Sequence, residues 1–271
     1  MSQSPITRRR FLASSLAAVG AGAIGAVAWL TRSSGEPTVA APTTSAAPTT
    51  SAAPTTSAAP TTTPPPTTTT TEGLAVVPIE VVCRESWGAL IASGEFTAHT
   101  IDQITVHHTA VLLDSNTDAP ARARQHQQYH QSLGWPDLAY HYLIDRNGHI
   151  YEGRPVDYVG DTATNYDPTG HFLVCCEGDF NQQEIGEEQY RSLVQLVAWG
   201  AMEFEIDPNT VRGHRDLATT SCPGDNLYPL VADQTLAKDV SAAIAGPALQ
   251  LDEVCGDGGA SLVAAIEDGS A

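Results

Sequence analysis

The feature that most limits what this chain can fold into is a stretch, residues 36–72, that has almost nothing to bury. It contains three tandem copies of TTSAAP (residues 43–60) followed by TTTPPPTTTTT. A segment of this composition cannot bury enough apolar surface to offset the entropy lost on ordering, so it cannot fold alone. We therefore predict a disordered Thr/Pro/Ala-rich linker with extended, polyproline-like conformations, which leaves one folded domain of about 200 residues.

Residues 1–35 have the layout of an export signal. Arg8 to Arg10 directly precede an apolar run from Phe11 to Leu30, and the whole fits a twin-arginine signal. Ala26-Val27-Ala28 offers a cleavage site, although the apolar run is also long enough to span a bilayer. We favour cleavage and predict a secreted or cell-wall-associated protein exported by the twin-arginine route, with a membrane anchor as the alternative.

Residues 73–248 alternate between strand and helix patterns, and residues 249–271 are predicted to be an acidic, Gly-rich C-terminal tail. The ordering of the chain from residue 246 onwards is expected to be only partial. The order of patterns predicts an α/β fold, a single domain with a mixed central β-sheet flanked by helices. The predicted elements are strands at 101–109 and 171–180, helices at 119–132, 187–204 and roughly 229–245, and a hairpin around Asn147-Gly148.

Charge and cysteine content narrow the possible partners. The chain has a formal net charge of −18, and the domain is more acidic still because the arginine cluster precedes it. Phosphate binding depends on Lys and Arg, so nucleic acid is excluded as a partner. Five cysteines in an exported chain imply one thiol with a separate task. A bond between Cys83 and Cys255 would staple the ends of the domain, although the sequence leaves other pairings open.

Three side chains are candidate metal ligands: His107, His214 and Cys222. Imidazole and thiolate suit Zn²⁺, and a catalytic zinc site keeps three protein ligands with one open position. Each residue also has a plainer interpretation, as a strand histidine bonded to a carbonyl or as a loop cysteine that is free or in a disulfide. Their spacing alone does not decide between the two.

Three sequence blocks resemble those of the type 2 N-acetylmuramoyl-L-alanine amidases, a family that includes the peptidoglycan recognition proteins and amidase-type phage lysins. The blocks are ITVHHTA (104–110), GWPDLAYHYLIDRNGHIYEGR (134–154) and GHRDLATTSCPG (213–224). Their order, spacing and residue types agree over roughly residues 101–230. The resemblance implies a peptidoglycan recognition protein-like fold.

The same resemblance implies roles for single residues. By position, His107, His214 and Cys222 are the zinc ligands, and Tyr140 is the catalytic tyrosine that bonds the attacking water or the oxyanion. Thr220 stands where the family has a threonine or lysine that stabilises the transition state. Because members that only bind cell wall commonly lack the cysteine, Cys222 indicates an enzyme.

We therefore expect a zinc-dependent enzyme that hydrolyses the amide between N-acetylmuramic acid and L-alanine of the peptidoglycan stem peptide. The expected partner is a muramyl peptide of a bacterial cell wall, with Zn²⁺ as cofactor and the protein acting as a monomer. Two alternatives stay open: a non-catalytic peptidoglycan-binding module, favoured if Cys222 is in a disulfide, and a structural secreted domain.

Other residues receive plainer predictions. Glu177 is a weak candidate for the general acid and is more simply a solvated carboxylate or the partner of an arginine. The segment PVDYVGDTA (155–163) departs from the family pattern, so the preference for diaminopimelate or lysine stem peptides is not transferable. The remaining predictions are that Trp87 packs in the core, Arg154 is exposed or touches substrate, His108 and His141 face away from the site, and His126, His130, His149 and His171 lie at the surface.

Overall fold

In the computed structural model, residues 75–271 are described; the predicted export signal and linker, residues 1–72, lie outside them. The strands are β1 (Val76–Val82), β2 (Gln103–His108), β3 (Tyr142–Ile144), β4 (Ile150–Glu152), β5 (His171–Cys176), β6 (Arg212–Gly213) and β7 (Ala248–Val254). The helices are α1 (Arg84–Trp87), α2 (Ala119–Ser132), α3 (Glu187–Glu203), α4 (Tyr228–Ala232), α5 (Thr235–Ile244) and α6 (Gly256–Asp268), with 3₁₀ turns at Asn116–Asp118, Pro208–Thr210 and His214–Asp216.

The strands form one mixed sheet in the order β6-β2-β5-β3-β4-β1-β7. Only the β3–β4 hairpin pairs antiparallel, and every other neighbouring pair in the sheet runs parallel. Gly148 makes the hairpin turn at φ 90°, in the left-handed region that favours glycine. The predicted fold class, α/β with a mixed central sheet flanked by helices, is confirmed.

Helices cover both faces of the sheet, which explains why β5 is buried along its whole length. On one face, Leu193, Leu196 and Val197 of α3 pack with Val240 of α5 against the strands. On the other face, α2 and α6 pack beside α1 over a smaller cluster that includes the fully buried Trp87. The predicted core role of Trp87 is confirmed.

The C-terminal part of the domain differs from the prediction. The expected helix at 229–245 is two helices, because Gln234 adopts a left-handed conformation (φ 66°) between them. Residues 249–271 are not a partly ordered tail: β7 pairs with β1 from Val76↔Ala248 to Val82↔Val254. The helix α6 that follows buries Val263 and Ile266. The acidic residues of β7 are tolerated because β7 is an edge strand whose side chains are largely exposed.

A disulfide joins Cys83, at the end of β1, to Cys255, at the end of β7. It is the pairing proposed from the sequence, and it fixes the C-terminal strand and helix to the start of the domain. Within residues 75–271, no helix is both long enough and apolar enough to cross a membrane.

Candidate metal centre

The three predicted metal ligands lie together at the carboxyl end of the sheet. His107 is near the end of β2, His214 begins the 3₁₀ turn after β6, and Cys222 lies in the loop that follows. Because β2 and β6 are parallel neighbours, their carboxyl ends meet at one place. One candidate ligand atom from each residue lies within 4.8 Å of the others, and all three residues are buried.

Backbone hydrogen bonds hold Cys222 in this position. The Arg215 amide donates to the Cys222 carbonyl (2.9 Å), and the Cys222 amide donates to the Thr220 hydroxyl (3.2 Å). The His108 amide donates to Cys222 Sγ (3.4 Å), which fixes the sulfur against the end of β2. Gly224 closes the loop at φ 100°, where a Cβ atom would lie 2.6 Å from a neighbouring backbone carbon, so only glycine fits.

Burial keeps both imidazoles neutral and the thiol protonated in the metal-free chain. It lowers the pKa of His107 well below its ordinary value, with a further contribution from His214, and lowers the pKa of His214 to about 4. It raises the pKa of Cys222 to about 12, against opposing effects of the His108 amide and of Arg215. Cys222 Sγ lies 3.6 Å from His107 Nδ1, so these two candidate ligands are in direct contact.

The chemistry of this donor set fits zinc. Two neutral imidazoles and one ionisable thiol are ligands that zinc prefers, and three protein ligands leave a position open for a reacting group. A divalent cation would take the place of the proton that the Cys222 thiol carries. Among the described residues, the second group with metal-ligand spacing is Cys83, Glu253 and Cys255, but its two sulfurs are joined in the disulfide.

Tyr140 and Thr220, the two predicted catalytic residues, line the groove that opens over the three ligand candidates. The ring centroids of Tyr140 and His107 are 5.2 Å apart. Burial, followed by the nearby thiol of Cys175, raises the pKa of Tyr140 well above its ordinary value, so its hydroxyl keeps its proton and can donate. The Thr220 oxygen accepts the Cys222 amide, which leaves the Thr220 proton free to donate.

Two histidines that the sequence assigned to the surface line the same groove, which has a volume of about 300 Å³. His126 and His130 are four residues apart on α2 and share one face of it. His130 is buried, with its ring 5.8 Å from that of Tyr140, and its Nδ1 accepts the Ala139 amide (3.1 Å). The surface prediction was wrong because the sheet-facing side of α2 is itself partly polar. The four-residue spacing was the signal that could have found both.

The other two histidines predicted at the surface are also at least partly buried. His171 is buried, with Nδ1 bonded to the Thr105 hydroxyl (2.7 Å), and His149 is partly buried against Asp145 (2.9 Å). Each is held by a polar partner that a single sequence does not reveal.

His108 and His141 face away from the three ligand candidates, as predicted. His108 Nδ1 accepts the Phe180 amide (3.2 Å), and His141 Nδ1 accepts the Leu173 amide (2.9 Å). Both imidazoles are buried and serve the packing of the domain.

Glu177 is neither solvated nor paired with an arginine, so both simpler predictions for it were wrong. It is 1% exposed, and its Oε2 lies 3.1 Å from Nε2 of His126. The Glu177 carboxylate therefore orients the imidazole of His126, which lines the groove.

Arg154 is 2% exposed, which contradicts the prediction that it is exposed or touches substrate. Its Nε donates to the Leu138 carbonyl (2.9 Å), and its other nitrogens contact the Val159 carbonyl and the carboxylate of Asp161. Carbonyls and one carboxylate thus compensate the buried charge. The consequence is that Arg154 anchors the segment 155–163, whose final residues line the groove.

Two residues of the following segment contact the ligand candidates, and sequence reasoning missed both. The Thr164 hydroxyl lies 2.8 Å from His214 Nε2, and the Tyr166 hydroxyl lies 3.4 Å from His107 Nε2. No local pattern marks them, because the segment between Arg154 and β5 has no regular structure.

The fold and the site together define a class of protein: an α/β domain with a His/His/Cys cluster in the floor of a groove at the carboxyl end of a mixed sheet. A sequence profile described as N-acetylmuramoyl-L-alanine amidase matches residues 97–225. Peptidoglycan recognition protein 1 of Mus musculus is 32% identical over 164 residues, which are 59% of this chain and 90% of that protein.

Solved structures agree with the sequence comparisons. Peptidoglycan recognition protein-LE, in complex with tracheal cytotoxin, has a TM-score of 0.51 at 26% identity and covers 57% of this chain and 92% of its own. Wild-type Drosophila PGRP-LB has a TM-score of 0.50 at 26% identity, over 58% of this chain and 94% of its own. The chain belongs to the N-acetylmuramoyl-L-alanine amidase family that includes the peptidoglycan recognition proteins.

Proposed function

We propose that this chain is a zinc-dependent N-acetylmuramoyl-L-alanine amidase, which hydrolyses the amide between N-acetylmuramic acid and L-alanine of the peptidoglycan stem peptide. The observation that carries the proposal is the convergence of His107, His214 and Cys222 beneath a groove, with Cys222 as a free thiol. A disulfide at Cys222 would have removed the third ligand and favoured the non-catalytic binding module instead.

The proposed division of labour follows from the donor groups. His107, His214 and Cys222 would hold the ion, and a bound zinc ion would supply Lewis acidity and a water-derived nucleophile at neutral pH. Tyr140 and Thr220 both line the groove, and each carries a hydroxyl group that could donate to a bound substrate. Their hydrogen bonds would strengthen as charge develops on the carbonyl oxygen, which is the condition for lowering the barrier.

The groove supports a muramyl peptide as the substrate. Its wall includes the rings of Tyr129 and Trp135 beside hydroxyl groups such as that of Thr162, a mixture that suits a sugar with a peptide attached. One relative was solved in complex with tracheal cytotoxin, described as a monomeric diaminopimelic acid-type peptidoglycan. Because segment 155–163 departs from the family pattern, the proposal does not extend to the stem-peptide type.

Residues 1–72 supply the rest of the proposal. The twin-arginine signal would export the chain to the cell wall, and an uncleaved signal would tether it to the membrane. If the 37 residues of the predicted linker are extended at about 3.1 Å each, it would reach on the order of 100 Å. The domain would then work as a monomer on bacterial peptidoglycan at a distance from the membrane.

Mass spectrometry of a defined muramyl peptide incubated with the full chain tests the proposal. We expect release of free stem peptide and intact N-acetylmuramic acid, abolished by a zinc chelator and restored by added zinc. Substrates with diaminopimelate and with lysine should both be tried. Binding of both substrates without cleavage by the zinc-loaded chain would contradict the enzyme and favour the binding module.

A further inference from the structure

The two histidines of the candidate metal centre each face a hydroxyl group from one short segment, residues 162–166, which we call the hydroxyl segment. Thr164 Oγ1 lies 2.8 Å from His214 Nε2, and Tyr166 Oη lies 3.4 Å from His107 Nε2. Thr162 Oγ1 in turn contacts Thr164 Oγ1 at 2.8 Å. Neither Thr164 nor Tyr166 is part of the proposed catalytic set.

We propose that Thr164 and Tyr166 are positioning residues that fix which nitrogen of each histidine is offered to the metal; the inference rests on the proposed zinc site. A neutral imidazole has one N–H donor and one lone pair. The nitrogen that a metal takes is set by the hydrogen bond made by the other nitrogen. Donation from Nε2 to a hydroxyl oxygen leaves Nδ1 of both His107 and His214 with the lone pair.

The contact on the other side of His107 agrees with this assignment. Nδ1 of His107 faces Cys222 Sγ at 3.6 Å, which is where the third ligand stands. The Tyr166 ring also packs edge-on against His214, with centroids 5.0 Å apart, and against His171, at 5.3 Å. The Tyr166 ring thus packs among three imidazoles, and this packing restricts rotation of the His107 and His214 rings.

The hydroxyl segment can serve this purpose because the chain before and after it is fixed. Asp161, directly before the segment, forms an ion pair with the buried Arg154, and its amide donates to the Ala139 carbonyl (3.2 Å). Gly160 lies so close to Leu173 and Ala139 that no Cβ atom would fit there. After the segment, the Gly170 amide donates to His99 Nδ1 (2.9 Å). Anchored hydroxyls orient a ligand at little entropic cost.

The first experiment measures the zinc affinity of the full chain by competition with a chelator at fixed pH. We expect Tyr166→Phe and Thr164→Val each to weaken zinc binding by about 10–100-fold, the usual loss when an outer hydrogen-bond partner of a ligand is removed. Thr164→Ser keeps the hydroxyl and should bind zinc as the wild type does. Tyr158→Phe and Thr169→Val are matched controls from the same irregular stretch: the Tyr158 ring packs on Phe96, and neither side chain contacts His107 or His214.

The outcomes separate this inference from the proposed function. Wild-type zinc binding together with unchanged affinity in Tyr166→Phe and Thr164→Val would overturn the inference and leave the amidase proposal standing. A wild-type chain that does not bind zinc would contradict the proposed function itself. The melting temperature of each metal-free variant shows whether a loss of zinc affinity reflects unfolding. In that case Thr164→Ser should have both the zinc affinity and the melting temperature of the wild type.

A second measurement needs no metal. The ¹⁵N chemical shifts of the histidine side chains report which nitrogen carries the proton. We expect His107 and His214 of the metal-free chain to be protonated at Nε2 and bare at Nδ1, and the preference to weaken in Tyr166→Phe and Thr164→Val. A proton on Nδ1 of either histidine in the wild type would contradict the inference.

Discussion

The two edges of the sheet are stabilised in different ways. At the β6–β2 edge, polar groups meet: two buried histidines, a buried cysteine and the partly buried hydroxyls of the hydroxyl segment. At the β1–β7 edge, a strand pair of seven residues on each side is closed by a disulfide and covered by the apolar face of α6. The first edge provides reactive groups, and the second provides stability.

The family match falls on the first edge. The matched residues, 97–225, include β2, β6 and the groove but neither β1 nor β7 with α6. The disulfide, which joins the ends of β1 and β7, lies wholly outside the matched region. The candidate metal centre and the disulfide therefore lie in different parts of the chain, and we expect mutations at the two edges to have different consequences.

The largest effect is expected for Cys222→Ser, which removes the thiol from the metal centre. Zinc affinity should fall by more than about 100-fold, because the loss of a mere hydrogen-bond partner of a ligand already weakens metal binding by up to about 100-fold. Amidase activity should disappear with it. Metal content and turnover measured on the same sample check the prediction. Full turnover by a zinc-free Cys222→Ser chain would show that the centre is not needed for the reaction.

Tyr140→Phe should separate turnover from metal binding. Loss of one donor to the oxyanion costs about 100–1000-fold in kcat, while zinc affinity should stay at the wild-type value because Tyr140 is not a ligand. Steady-state kinetics with zinc titration distinguish the two effects. Tyr190→Phe, on α3, serves as a control, and an equal kcat in Tyr140→Phe and Tyr190→Phe would remove Tyr140 from the catalytic set.

At the other edge, replacing both Cys83 and Cys255 with Ala should act on stability alone. The bond spans 172 residues of sequence, and loss of a native disulfide typically costs about 2–5 kcal/mol in the free energy of unfolding. Urea unfolding measures the cost, and the zinc affinity of the folded variant should match the wild type. A parallel drop in zinc affinity would mean that the two edges are coupled.

The smallest effect concerns pH. The pKa of Cys222 is raised to about 12 and that of His214 is lowered to about 4. Between about pH 5 and 6, below the range in which a water on zinc would ionise, only the thiol must therefore lose a proton for a metal to bind. Zinc affinity should therefore rise by about tenfold per pH unit, one proton released per ion. Chelator competition at several pH values gives the slope. If zinc affinity did not change with pH, the thiol would be excluded as a ligand. About a hundredfold rise per pH unit would mean that two protons are released per ion and would require a charged histidine.

The first edge could largely be predicted from the sequence. Local periodicity indicates β2 and α2, and the three motif blocks point to His107, His214 and Cys222 as a set. Tyr166 could not be found because the contact between its hydroxyl and His107 spans 59 residues across an irregular segment. Arg154 was misjudged for a related reason, since its burial is compensated by carbonyls and a carboxylate that only the fold brings together.

The second edge escaped prediction almost entirely. The pairing Val76↔Ala248 joins residues at opposite ends of the domain, and short-range patterns carry no information on such a pair. The β7 sequence ALQLDEV is acidic, and the helix after it begins with glycines, so both resemble a tail. Only the number and positions of the cysteines indicated a link between the ends of the domain.

Zinc K-edge X-ray absorption of the full chain loaded with one equivalent of zinc tests the metal centre most directly. A site made by His107, His214 and Cys222 predicts one sulfur neighbour at about 2.3 Å and nitrogen or oxygen neighbours at about 2.0–2.1 Å. The sulfur signal should vanish in Cys222→Ser. A zinc ion with only nitrogen and oxygen neighbours in the wild type would contradict the site on which the proposed function depends.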